Sequence, residues 1–204
     1  MLWWPRNPKW VDRLYPHRTF RMSPVAGVVH LTFDDGPDEG VTPAVLDLLA
    51  QYEMQGTFFC IGDQVVKNPE IYNRLRADGH AVGNHTQWHE NARQISSSRF
   101  RESVNKASQH INRKLFRPPY GRLPGREARW LCEQGYEIVM WDVLSGDFDP
   151  RCSSARIARN VINNMQAGSI IVLHDNARFK DRMLPALPLI LKELKSRNWT
   201  SKAL

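Results

Sequence analysis

The chain has 204 residues, 42% of them hydrophobic and 24% charged, which fits one soluble globular domain with room for a sizeable buried core. Lys and Arg outnumber Asp and Glu by 28 to 21, for a net charge of +7, so nucleic acid, an anionic cell-wall polymer or an acidic lipid surface would all be attracted and none is selected. The longest clear apolar run, Ser169 to Leu173, is a strand's length and not the ~20 residues of a membrane span; the three cysteines, Cys60, Cys132 and Cys152, form no C-x-x-C pair and no disulfide framework, so any metal must be held by Asp, Glu and His.

In chain order, the first 22 residues carry five positive charges (Arg6, Lys9, Arg13, Arg18, Arg21) among Trp3, Trp4 and Trp10. They read either as an interfacial patch or, the simpler expectation, as aromatic residues packed onto the main body. This stretch lacks the apolar block and small-residue cleavage site of a secretory leader. The expected location is therefore cytoplasmic or at a membrane surface, with the cell envelope open if the chain is a fragment. A boundary near Pro24 divides a basic extension, 1–24, from a main domain, 25–204.

Strand-like runs follow at 28–33, 57–61, 81–82, 115–116, 137–141 and 170–173. Helix-like segments fall between them. The first places Val45, Leu48, Leu49 and Tyr52 on one face, behind Thr42 as an expected N-cap and Pro43 at the first helical position. Others are expected over 71–77, 100–112, 126–134, 155–165 and 187–194, with Gly79, Gly135 and Gly168 ending three of them. Alternating β and α predicts parallel strands with helical crossovers, in a doubly wound sheet or a barrel.

Folds of this kind carry their chemistry at the carboxyl ends of the strands. Polar clusters occur after successive strand-like runs: Asp34-Asp35-Gly36-Pro37, the His85 to His89 segment, Arg117-Pro118-Pro119-Tyr120-Gly121, the segment from Asp142 to Asp149, and His174-Asp175. Two adjacent aspartates stay ionised only where a cation, a shared proton or solvent relieves their repulsion. His85 and His89, four residues apart, face the same way on one helical turn or a tight loop, and with Asp35 they make a two-imidazole, one-carboxylate set with open coordination positions. Asp34 is then free to act as a base beside the cation.

TFDDGP, HTQWH, RPPYG, GDFD and VLHD, in this order over about residues 28–175, resemble the five motifs of the polysaccharide deacetylase family with the NodB homology domain, carbohydrate esterase family four. The resemblance implies an α/β fold, a distorted, incomplete (β/α)7-type barrel, and a metal-dependent hydrolase that removes N-acetyl, or less readily O-acetyl, groups from a glycan such as peptidoglycan or chitin. Deacetylation needs water activated at neutral pH and an amine protonated as it leaves. Asp34 is the expected base and His174 the expected acid. By resemblance, Arg117 holds Asp34, Asp147 orients His174, and the backbone N–H of Tyr120 stabilises the oxyanion. Pro119, Tyr120, Trp141, Phe148 and Leu173 are the expected substrate contacts. The cofactor is a divalent metal, zinc first, with cobalt, nickel, manganese or iron as alternatives.

The family commonly shows D-x-x-D-W in its fourth motif, where this chain has Leu144 first and Phe148 last; Val172 stands where leucine is common in the fifth. These changes alter a groove wall and leave the identity of the glycan open. Trp88, Trp141 and Tyr120 are candidates for stacking on sugar rings, with packing the commoner use of such residues. Two other readings are opening of a small cyclic amide and binding of glycan or nucleic acid without turnover. No phosphate loop or aromatic-basic nucleic-acid motif appears, so no nucleic-acid partner is expected.

Overall fold

A computed structural model describes residues 4–204; Trp3 lies outside them. Seven strands form one curled parallel sheet: β1 (Val28–Asp34), β2 (Gly56–Cys60), β3 (Ala81–Asn84), β4 (Leu115–Phe116), β5 (Glu137–Ile138), β6 (Val143–Leu144) and β7 (Ile170–His174). Their order is β5-β4-β3-β2-β1-β7-β6, and a short β8 (Thr200–Ser201) pairs with the start of β1. The chain passes from β5 at one end of this order straight to β6 at the other, the signature of a barrel that has curled round without closing its ladder. The incomplete (β/α)7-type barrel is therefore present.

All seven residues of β1 are buried, as a central parallel strand covered on both faces requires. Helices α2 (Thr42–Gln51), α7 (Ser154–Ile162) and α8 (Lys180–Ser196) enclose the main core around Leu31, Phe33, Leu49, Ile171 and Leu187. A second cluster, with Phe100, Phe116, Leu131 and Ile138, sits beneath α5 (Ser97–Ser108) and α6 (Gly125–Glu133). Gly79, Gly135 and Gly168 adopt φ near +80°, the left-handed geometry expected where helices end.

Several expectations change. Thr42 begins α2 without a side-chain cap, because its hydroxyl points back to Asp175. Helix α8 runs through Pro185 and Pro188 and starts earlier than expected; Pro185 is exposed, so water can serve the carbonyl it leaves unpaired. The short α1 (Trp10–Leu14), α3 (Gly62–Lys67), β6 and β8 lack any long periodic signal; α4 (Pro69–Ala77) starts two residues before its expected position. Trp4 and Trp10 do not pack inward: they are 66% and 57% exposed, and α1 buries none of its residues. Among the described residues no helix is long and apolar enough to cross a membrane.

Candidate active site

Asp34 is the last residue of β1, and on the neighbouring strand its register partner is His174, the last residue of β7. The expected base and the expected acid thus end adjacent parallel strands. Immediately after Asp34 the backbone turns through Asp35 at φ 82°, a left-handed conformation that aspartate tolerates better than most residues. Gly36 follows; a Cβ there would lie 2.2 Å from Asp175 Oδ2, so only glycine fits.

The turn brings Asp35 to the two histidines. Asp35 Oδ1 lies 3.1 Å from His89 Nε2 and 3.6 Å from His85 Nε2. One ligand atom from each of the three residues falls within 4.8 Å of the others. The histidines come from the loop after β3, where His89 takes φ 59°, so a tight loop and not a helical turn sets their spacing. His85 Nδ1 is 2.7 Å from the Arg117 carbonyl, which fixes the ring with Nε2 facing Asp35. Asp35 Oδ1 is buried yet makes no hydrogen bond. An orphaned carboxylate oxygen facing two imidazole nitrogens suits a divalent cation. Burial pushes the Asp35 carboxyl up, but His85 and His89, with His174 beyond, outweigh it and hold it well below the usual carboxylate range. The anionic form is the form that binds metal.

Arg117, fully buried, donates from Nη1 to Asp34 Oδ1 and to Thr32 Oγ1, both at 2.7 Å. Its Nε and Nη2 reach the carbonyls of Val139 (3.2 Å) and Met140 (2.8 Å), and its plane lies over Phe59, 4.1 Å from the ring centroid. Burial lowers the pKa of Arg117 and Asp34 opposes that shift; a guanidinium remains charged regardless. Removing one partner of so dry a pair typically costs ~3–5 kcal/mol, because the other charge is stranded.

Asp147, buried after β6, takes His174 by two bonds: Oδ1 lies 2.8 Å from ring Nδ1, and Oδ2 accepts the backbone N–H at 2.7 Å. Burial alone would lower the His174 pKa. The charge and hydrogen bond of Asp147, then the charges of Asp35 and Asp34, reverse that and raise it to about 10. The imidazole is a cation at neutral pH.

The remaining expected residues divide. Pro119 and Leu173 are buried; Trp141 and Phe148 are half-buried, with the Phe148 ring edge-on to His174 at 6.0 Å. Tyr120 is 62% exposed, its ring 4.6 Å from that of His89 and its backbone left-handed at φ 60°. Trp88 is held by cations, with Arg99 4.0 Å and Lys106 4.7 Å from its ring, and so is a packing residue more than a platform.

Asp175 went unnoticed as a site residue in the sequence, although it follows His174 directly. Fully buried, it accepts hydrogen bonds from Thr42 Oγ1 (2.6 Å) and Gly36 N (3.2 Å) and so staples the turn that carries Asp35. Burial and the charges of Asp35 and Asp34 push its carboxyl well up, against the Thr42 bond. Phe179, edge-on to His174 at 5.4 Å, was equally silent, since nothing in its spacing tied it to a strand end.

A carboxylate clamped by arginine and an imidazolium clamped by aspartate, beside a cluster suited to one cation, define a hydrolase centre of the metal-assisted kind. Residues 22–139 match the family model described as polysaccharide deacetylase, and the chain belongs to that family. It is 36% identical over 176 residues to a peptidoglycan-N-acetylglucosamine deacetylase of Bacillus cereus, covering 83% of this chain and 64% of that one. Over 189 residues it is 32% identical to a chitooligosaccharide deacetylase of Bradyrhizobium, covering 84% and 86%. A solved peptidoglycan N-acetylglucosamine deacetylase, crystallised with 4-naphthalen-1-yl-N-oxidanyl-benzamide, superposes with a TM-score of 0.87 at 33% identity over 96% of this chain and 93% of that one.

Proposed function

We propose that the chain hydrolyses the acetamide of N-acetylated amino sugars in a glycan of the peptidoglycan or chitin type, releasing acetate and a free amine. The observation that carries this reading is the pairing of Asp34 with His174 at the ends of adjacent strands, next to the Asp35, His85 and His89 cluster. Asp34 accepts a proton from the attacking water. Arg117 occupies Oδ1, so the proton goes to Oδ2. As the C–N bond breaks, the leaving nitrogen takes a proton from His174; Asp147 engages Nδ1, which leaves Nε2–H as the donor. The backbone N–H of Tyr120 contributes to oxyanion stabilisation. Asp35, His85 and His89 would hold the metal, zinc by the preference of two imidazoles and a carboxylate, and it would supply Lewis-acid charge beside the scissile amide. Pro119, Tyr120, Trp141 and Phe148 line the approach of the sugar; Leu173, expected among them, is fully buried in the main core and takes no part.

Acetate and amine release from N-acetylglucosamine oligomers, peptidoglycan and an O-acetylated xylan tests the reading. Equal numbers of acetate and amine from the first two support it; acetate from the xylan alone would make the protein an O-esterase, and no product from any would reject the reading.

Weak association with anionic surfaces is a separate part of the proposal. Trp10 and Leu14, 57% and 62% exposed, share one face of α1 beside Lys9 and Arg13, a composition suited to an interface of anionic lipid or wall polymer. Sedimentation with phosphatidylglycerol vesicles, lost at high salt and absent with phosphatidylcholine, is the expected result.

A further inference from the structure

The family match begins at Met22, yet the residues before it bond to the backbone segment that holds Arg117. β5 and β6 end the sheet order, so the extended segment that joins them, Val139 to Asp142, belongs to no sheet strand and has an edge that no sheet strand covers. An uncovered edge leaves backbone donors and acceptors to be satisfied by something else. The N-terminal segment satisfies them. Thr19 N–H donates to the Ile138 carbonyl at 2.8 Å and the Thr19 carbonyl accepts from Met140 N–H at 2.7 Å. Asn7 donates from its backbone to the Asp142 carbonyl (2.8 Å) and from its side chain to the Trp141 carbonyl (2.7 Å), and Leu144 N–H donates to the Pro5 carbonyl at 2.8 Å. Phe20, 5% exposed, packs in the cluster that contains Ile138 and Met140.

Arg117 grips the same short segment. Val139 and Met140 provide the two carbonyls that hold its Nε and Nη2, while Nη1 holds Asp34. Met140 is thus tied by its N–H to Thr19 and by its carbonyl to Arg117. A guanidinium is planar, with donors in a fixed fork, so a shift of the two carbonyls rotates the Nη1 that points at the carboxylate.

We infer that residues 5–21 are a strut of the catalytic centre: by fixing the carbonyls of Val139 and Met140 they position Arg117, and through it Asp34. Thr19 and Asn7 are positioning residues and touch no substrate. The inference rests on the deacetylase reading for its kinetic arm only.

The test uses the full chain with Thr19→Pro, which deletes the N–H given to Ile138, and Asn7→Ala, which deletes the bond to Trp141. Small misplacements of catalytic groups cost up to about 100-fold. Thr19→Pro is expected to lower kcat about tenfold and Asn7→Ala about threefold, with KM and bound metal per chain unchanged. On an Arg117→Ala background neither should lower kcat further, because a residue that acts through Arg117 has nothing left to position. Wild-type kcat in the folded variants, or losses that multiply with that of Arg117→Ala, would overturn the inference. If Thr19→Pro does not fold, Asn7→Ala decides alone. Solvent exchange of the Arg117 Nε–H, followed by nitrogen-15 NMR, needs no substrate: it should quicken in both variants, and unchanged exchange also overturns the inference. A wild-type protein that releases no acetate would defeat the deacetylase reading and leave this second arm intact.

Discussion

The two sides of the site are built differently. On the base side, Asp34 and Arg117 are 4% and 0% exposed, held at the ends of β1 and β4, with each guanidinium nitrogen bonded within the protein. On the acid side, His174 keeps part of its surface open, Asp147 comes from an irregular stretch after the two-residue β6, and Phe148 and Phe179 stand edge-on around the imidazole. The buried side fixes the chemistry with charges that have a single possible use. The open side meets the substrate, and there the fourth motif departs from its usual form at Leu144 and Phe148. Substitutions on the base side should therefore act on turnover, and those on the acid side should also register in pH dependence and leaving group.

The largest effect is expected from Asp35→Ala or His85→Ala. Bound metal per chain should fall toward zero with acetate release, as elemental analysis after gel filtration would read; an unchanged ratio refutes the ligand set. Asp34→Asn should lower kcat by about 10²–10⁴-fold, the usual worth of a positioned base, with metal content intact. His174→Ala should reduce amide hydrolysis by a similar factor and hydrolysis of an activated acetate ester far less, because a good leaving group needs no acid. Equal losses on both substrates would remove His174 from that role.

A smaller effect separates the halves by pH. His174 must be protonated to act, so activity should fall on the alkaline side as pH rises through its pKa, which Asp147 raises above the ordinary histidine value. Asp147→Asn removes the largest opposing contribution to burial and should move this alkaline limb to lower pH. The raised pKa also means that the His174–Asp147 contribution to stability is fully present below the ordinary histidine value of 6.5 and is lost as pH rises through about 10. Urea melts at several pH values would show the wild type losing this increment on the alkaline side and Asp147→Asn lacking it. Smallest of all, Thr42→Val strands Asp175 Oδ2 and the Asp38 N–H, each now paired with the hydroxyl. That should cost about 1–3 kcal/mol, a fall in Tm of about 2–4 °C per kcal/mol, with kcat affected only so far as the Asp35 turn moves.

What the sequence disclosed follows the same division. Parallel α/β alternation and the residues at strand ends were legible because a covered strand must be apolar and the chemistry must follow it: Asp34, Arg117 and His174 sit where a run of apolar residues stops, and His85 directly follows β3. Asp175 was hidden because its partners, Thr42 and Gly36, are more than 130 positions away, and Thr42 looked like an ordinary helix cap. Two-residue strands such as β6 carry no periodicity to read. Helix α8 extends seven residues before its expected start at 187, through Pro185, which a solvent-facing position tolerates. The N-terminal segment offered tryptophans and charges, which draw attention outward, while the groups that tie it to Ile138 and Met140 are backbone atoms, which any sequence has.

The most direct test of the account is metal titration of chelator-stripped protein with acetate release from an N-acetylglucosamine oligomer as the readout. Activity should be absent in the stripped protein and rise linearly with added zinc to a break at one ion per chain, with no rise in His85→Ala. Full activity after stripping, or a break that survives in that variant, would contradict it.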